Sequence, residues 1–267
     1  MLNFFAILRN VRARKKYSNS RIAKAGFTLV ELALVLVIIG LVVGGVLVGK
    51  ELIHSAEIRS TMKQAEEFTS ASKTYTLKYN CLAGDCTNAT TLFTGTGNGD
   101  GNGQIGGGAN PMSSTEDIYF WQHLALANLI SGSYTLVASG STYLPDINYP
   151  SSKMGGAFGV WNLQIYSAGG AFFSGKLFVA QYGNNLLLGT PWGTTASKVP
   201  LNPLLSGYDA FAIDSKFDDG LPAYGKIMTW QSSSGYSTGC ATTDVSSTAA
   251  YSQTTSINCG LFFTNAF

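Results

Sequence analysis

The distribution of apolar and polar positions divides the chain sharply. From Phe27 to Val48 every residue is apolar, glycine or threonine except Glu31. A helix needs about 20 such residues to cross a bilayer core of about 30 Å, and this run of 22 supplies them. Beyond Lys50 the pattern changes without a break. Ile58, Met62, Ala65, Phe68, Ser72, Tyr75 and Tyr79 recur every three or four residues with polar residues between them, and no proline or glycine interrupts 50–80. That spacing predicts an amphipathic continuation of the same helix, with one face against a globular body. A helix over 27–79 would be about 80 Å long at 1.5 Å per residue.

A second helix is expected over 114–130, with Ser114 and Thr115 as caps before Glu116 and Asp117 and an apolar stripe of Phe120, Trp121, Leu124, Ala125 and Leu129. After residue 131 short β-rich runs take over, at 134–138, 157–166, 176–182 and 226–230, separated by Gly, Ser, Asn and Pro. The expected fold class is α+β: a long N-terminal helix whose second half packs on an antiparallel sheet, with an inserted region of about 80–133 carrying its own helix. No fixed-period repeat points to a solenoid or propeller.

Charge gives the apolar run a direction. The chain has 267 residues and a net charge of +2. Residues 1–26 hold seven bases (Arg9, Arg12, Arg14, Lys15, Lys16, Arg21, Lys24) and no acid, leaving ten bases against fifteen acids, a net of −5, for the remainder. A basic arm, an apolar span and an acidic body read as single-pass topology with the bases kept cytoplasmic. A nucleic-acid-binding arm is the competing reading, and the apolar run that follows at once argues against it. Signal-peptide cleavage fits poorly, because the run exceeds an h-region and no small-x-small site follows. Charged residues make up only 12% of the chain, and glycines number 31, a surface more typical of an exported protein than of a cytosolic enzyme.

The segment Lys24-Ala25-Gly26-Phe27-Thr28-Leu29-Val30-Glu31-Leu32 closely resembles the processing site of type IV prepilins and type II secretion pseudopilins. The resemblance implies cleavage by a prepilin peptidase after Gly26, methylation of the new N-terminal Phe27, and an assembly role for Glu31 at the fifth mature position. It divides the chain into a cleaved basic leader (1–26), a transmembrane helix (27–49), its amphipathic continuation (50–80) and a pilin-like periplasmic or extracellular domain (81–267). A lone carboxylate in an apolar segment costs about 2.5 kcal/mol or more unless it finds a partner. The family supplies one in the Phe27 ammonium of a neighbouring subunit; snorkelling of Glu31 to the interface is the alternative. Gly40, Gly44, Gly45 and Gly49 give two consecutive G-x-x-x-G spacings that would let helices approach closely.

Shorter segments resemble a subgroup of uncharacterised prepilin-like bacterial proteins: 56–59, Tyr79-Asn80, Gly84-Asp85 before Ala89, 98–105, 121–127 and 218–222. That subgroup would have Leu-Pro-Gly-Asp where this chain has Leu82-Ala83-Gly84-Asp85.

Cys81, Cys86, Cys240 and Cys259 all follow the apolar run, in what would be an oxidising compartment. Four cysteines allow three connectivities; Cys81–Cys86 with Cys240–Cys259 is the natural one, and the second pair resembles the C-terminal disulfide loop of many pilins. A zinc site is the rival, without a histidine or a second close pair to complete it. Asn98, Asp100 and Asn102, followed by Gly103 and Ile105, resemble the first half of an EF-hand calcium loop. Position 12 would be Ala109 rather than Glu, with Glu116 or Asp117 as a substitute ligand; a Gly/Asn turn without metal is the favoured reading. Asp218 and Asp219 are a second carboxylate pair, also read as a turn. His54 and His123 complete no catalytic signature, and no enzymatic activity and no other cofactor are expected.

The function expected is therefore structural: a subunit, of minor type, in a type IV pilus or type II secretion pseudopilus. Its partners would be the prepilin peptidase, other pilin or pseudopilin subunits and inner-membrane lipid. The alternative is a membrane-anchored or filament-tip binding protein, an adhesin or DNA-uptake factor, although the acidic body argues against nucleic acid as a partner.

Overall fold

A computed structural model describes residues 26–106, 115–136, 144–163, 177–178, 182–191, 199–232 and 237–267. The bases of the leader, Ser114 and Ala109 lie outside the described residues, as do parts of the expected strands 134–138, 157–166 and 176–182. Helix α1 spans Leu29–Tyr79. The chain divides within it into two units, Met1–Glu51 and Leu52–Phe267.

In the first unit the described residues, 26–51, are almost uniformly exposed, with Phe27 at 86% and Leu41 at 79%. Among the described residues of this unit the apolar surface is left uncovered. The helix begins at a capping box. Thr28 Oγ1 accepts the Glu31 amide proton (3.2 Å), while Glu31 Oε2 accepts from the Thr28 amide (2.8 Å) and from the Thr28 hydroxyl (2.9 Å).

In the second unit α1 buries Ile58, Met62, Ala65, Phe68, Ala71, Ser72 and Tyr75, the stripe its sequence predicts. It ends where Asn80 turns left-handed (φ 55°) and donates its amide to Thr76 O. A short α2 (Ala89–Leu92) and α3 (Glu116–Leu126) follow. Helix α3 is shorter than its sequence predicts, and Thr115 occupies the N-cap without a side-chain bond. The region 80–133 is no separate layer. Ile105, Ile118, Phe120, Trp121 and Leu124 join Phe68, Phe158, Leu186 and Leu261 in one core.

Strands β1 (Ala157–Asn162), β2 (Asn184–Gly189), β4 (Ile227–Thr229) and β6 (Leu261–Phe263) form an antiparallel sheet in the order β1-β2-β6-β4. β3 (Leu205–Ser206) and β5 (Ile257–Cys259) pair separately. The four-stranded sheet is covered on both faces. Phe158, Val160, Leu186, Leu188 and Leu261 point into the core shared with α1, whereas Trp161, Leu187, Met228 and Phe262 join Trp230, Leu201 and Val199 in a second cluster. Phe68 marks the junction of helix and sheet, its ring edge-on to Trp121 of α3 (5.1 Å) and to Phe158 of β1 (5.2 Å).

Two expectations change. Tyr134, Thr135 and Leu136 belong to no strand. Residues 207–217, left among β-rich runs by the sequence reading, form helix α4 (Gly207–Phe217), capped by Ser206, whose Oγ accepts the Asp209 amide proton.

Candidate functional site

The N-terminal segment places its three singled-out residues side by side on the surface. Gly26 and Phe27 precede the helix in exposed chain without regular secondary structure, and Glu31 lies one turn in. The capping box changes the account of Glu31. Its Oε2 is satisfied within its own chain by Thr28, so the carboxylate has a partner before any neighbour arrives. Thr28 is the residue that sequence reasoning missed, and the T-x-x-E spacing was its signal. A Cβ built at Gly40, Gly44, Gly45 or Gly49 meets nothing within 4 Å, so this small-residue face is open. Among the described residues α1 is the one helix long and apolar enough to cross a membrane.

A second constellation assembles from segments far apart in sequence. Asp85, held in the tight Cys81–Cys86 disulfide loop, is wrapped by the loop 98–106. Its Oδ1 accepts the amide protons of Gly101 (2.7 Å) and Asn102 (3.1 Å), and its Oδ2 accepts that of Gly103 (2.7 Å). Glu116, at the start of α3, takes the amides of Asp100 and Gly106 (3.0 Å each) on its two oxygens. Burial pushes both carboxyls above the ordinary carboxylate range, against the lowering effect of these amides. Glycine is required on both sides of the contact. Gly84 has φ +87°, and a Cβ on Gly99 would sit 2.3 Å from Asp85 Cα.

Of the three residues expected to ligate calcium, only Asp100 enters this cluster, with oxygens of Asp85, Asp100 and Glu116 all within 4.8 Å of one another. The Asn98 side chain instead accepts from the Thr90 amide, and Asn102 Oδ1 from the Gln104 amide, while Asn102 Nδ2 donates to Asp100 Oδ2. Three carboxylates are the ligand type of a hard divalent cation. Yet every one of their six oxygens already accepts a proton from an amide nitrogen.

His123 pins the same loops from below. It is wholly buried, and its ring lies flat against Tyr119 (6.0 Å, 2°). The Gly84 amide donates to Nδ1 (2.9 Å), which leaves the proton on Nε2 to reach Gly97 O (3.1 Å). Burial holds this imidazole neutral, with its pKa lowered to about 4. Gln122 Oε1 accepts the Thr96 hydroxyl proton. Segments 84–85, 98–105 and 121–127 are thus one interlocked unit.

His54, Asp209 and Ser206 form a hydrogen-bonded row. His54 Nε2 lies 2.7 Å from Asp209 Oδ1, and Ser206 Oγ donates to Asp209 Oδ2 (2.7 Å), beside a cavity of about 460 Å³. The order is hydroxyl, carboxylate, imidazole. Among the described residues no base faces the serine, so the relay ties α1 to α4 without activating a nucleophile. The cysteines pair as Cys81–Cys86 and Cys240–Cys259, with no free thiol among the described residues.

No curated protein and no solved structure matches the chain. Residues 21–47 match the family model of the prokaryotic N-terminal methylation motif. With the long apolar helix that follows and the mixed α+β body, this motif is a prepilin- or pseudopilin-type signal on an exported, single-pass membrane-anchored protein.

Proposed function

We propose that the chain is a subunit, of minor type, of a type IV pilus or type II secretion pseudopilus. Prepilin peptidase cuts after Gly26, Phe27 becomes the methylated N-terminus, and residues 27–49 serve first as the membrane anchor and then as filament core. The observation that carries this reading is the apolar surface of 27–47, exposed among the described residues and lying inside a methylation motif. A plain anchor has no use for the Gly26-Phe27 site. In this reading the body contributes surface rather than chemistry. The loop 98–106 is organised by its amide contacts to Asp85 and Glu116, and calcium is not needed to close it.

Mass spectrometry of the protein from membranes tests the proposal. A mature N-terminus at Phe27 carrying one methyl group is expected. An intact Met1 start, or cleavage near residue 50, overturns it.

A further inference from the structure

Strand β4 is an edge of the four-stranded sheet, and its outward amides need a partner. The turn that follows α4 supplies it. Asp218 Oδ2 accepts the amide protons of Lys226 and Ile227, and Pro222 O accepts that of Thr229 (3.0 Å). Gly225, at φ +79°, lets the chain pass close to the Asp218 carboxylate. The segment 218–222 is therefore a cover laid along the free edge.

The cover is anchored on a carboxylate that should not bear charge there. Asp214 is wholly buried in the last turn of α4; its Oδ1 accepts the Gly220 amide (3.1 Å) and its Oδ2 the Tyr251 hydroxyl (2.8 Å). Oxygens of Asp218 and Asp219 lie within 4.8 Å of it. These two carboxylates and Tyr251 are the titratable groups that face it, and among the described residues no cation pairs with any of the three acids. They also stand at the C-terminal end of α4, where the unpaired carbonyls already present negative charge. Ionising Asp214 here costs the desolvation of a buried charge first, and repulsion from Asp218 and Asp219 adds to it.

We propose that segment 218–222 is a pH-operated cover on the edge of β4, shut while Asp214 carries a proton and loosened once Asp214 ionises beside Asp218 and Asp219. The burial of Asp214 raises its pKa to about 7, which puts the transition near neutrality. Loosening frees the amides of Lys226, Ile227 and Thr229, an edge that another strand can pair with. The inference is independent of the filament reading.

Amide hydrogen exchange of the full chain in detergent micelles tests it. Between about pH 5.5 and about pH 8.5, after correction for intrinsic rates, protection at Lys226, Ile227 and Thr229 should fall about tenfold while Leu187 stays protected. In Asp214→Asn the fall should vanish. In Tyr251→Phe, which removes a hydroxyl that favours the ionised form, the midpoint should move to higher pH; this variant decides the matter if Asp214→Asn does not fold. Protection in the wild type that does not change with pH, a fall that persists in Asp214→Asn, or a fall seen only after EDTA treatment overturns the proposal.

Discussion

Protonating His123 should unlock the loops it holds. Its imidazole has a folded pKa of about 4 against 6.5 when free, a difference of about 2.5 units and so about 3 kcal/mol. The sign follows from the depressed value: the stability is present above pH 6.5 and is lost as pH falls from 6.5 to 4, where the unfolded chain binds a proton that the folded chain refuses. Asp214 acts oppositely. Its pKa is raised to about 7, so its contribution is present below about 3.8 and lost as pH rises to 7. The two windows overlap, and the raised carboxyls of Asp85 and Glu116 act in the same sense as Asp214, so the pH dependence of the wild type alone does not isolate the histidine. The effect becomes visible by difference. His123→Gln keeps a polar side chain of similar reach but cannot charge. Urea unfolding of the full chain in detergent, followed by tryptophan fluorescence with disulfides intact, gives ΔG at each pH. The wild type should be the more stable at pH 7.5, and its advantage should shrink by about 3 kcal/mol on reaching pH 4. Two curves that stay parallel across this range would refute the argument, because they would mean that the buried ring accepts a proton at no cost.

Other parts of the structure make separate claims. Phe68→Ala, which empties the junction of α1, α3 and β1, should cost about 3–5 kcal/mol in the same unfolding assay; a loss under about 1 kcal/mol would mean the helix does not carry the core. Asp85→Ala strands the amides of Gly101, Asn102 and Gly103 and should cost about 3 kcal/mol, with exchange rising in 98–106; recovery on adding calcium would show instead that a cation organises the loop. Alkylation of the exported protein without prior reduction should label none of the four cysteines, and labelling of two would leave one disulfide unformed. Glu31→Ala should insert and be cut normally while its share in sheared filaments, relative to membranes, falls at least about tenfold; an unchanged ratio would remove any assembly role for this residue.

The sequence revealed most where a single periodicity dominates. The long helix was legible because one apolar run joins one amphipathic stripe, and α3 because an acidic first turn precedes Phe120, Trp121 and Leu124. β2 was not, and the reason is physical. Leu186, Leu187 and Leu188 show no alternation because Leu186 and Leu188 face one cluster and Leu187 the other, so both faces of the strand are apolar. α4 was hidden because its inward face is Gly207, Ala210, Ile213 and Asp214, of which one is a glycine and one a buried acid. The capping signal Ser206-x-x-Asp209 was the better guide. In the loop 98–106 the alternating Asn and Asp resemble half of a calcium loop, although a Gly/Asn turn without metal is the favoured reading of the sequence. What the spacing could not tell is that the acceptor, Asp85, lies thirteen residues before it and that the loop supplies mainly donors.

The capping box also alters what an assembly role for Glu31 must mean. In the apolar setting proposed for residues 27–49, a carboxylate without a partner costs about 2.5 kcal/mol or more. Thr28 removes much of that cost before assembly, through two bonds to Oε2 and a reciprocal bond to the Glu31 amide. A neighbouring ammonium therefore cannot be credited with rescuing an orphaned charge. It gains only the difference between an ion pair and a capping box that is already formed. That difference is larger in a water-excluding core, where a charge-assisted contact is strengthened and solvent no longer competes. Glu31 Oε1 takes no part in the box and is the oxygen free to receive such a contact, so the two arrangements need not exclude each other. The box also fixes the direction in which that oxygen points, because the side chain is held at both its own amide and its carboxylate. Thr28 then acts as a positioning residue: it keeps the carboxylate solvated by backbone in the bilayer and oriented for a partner in the filament.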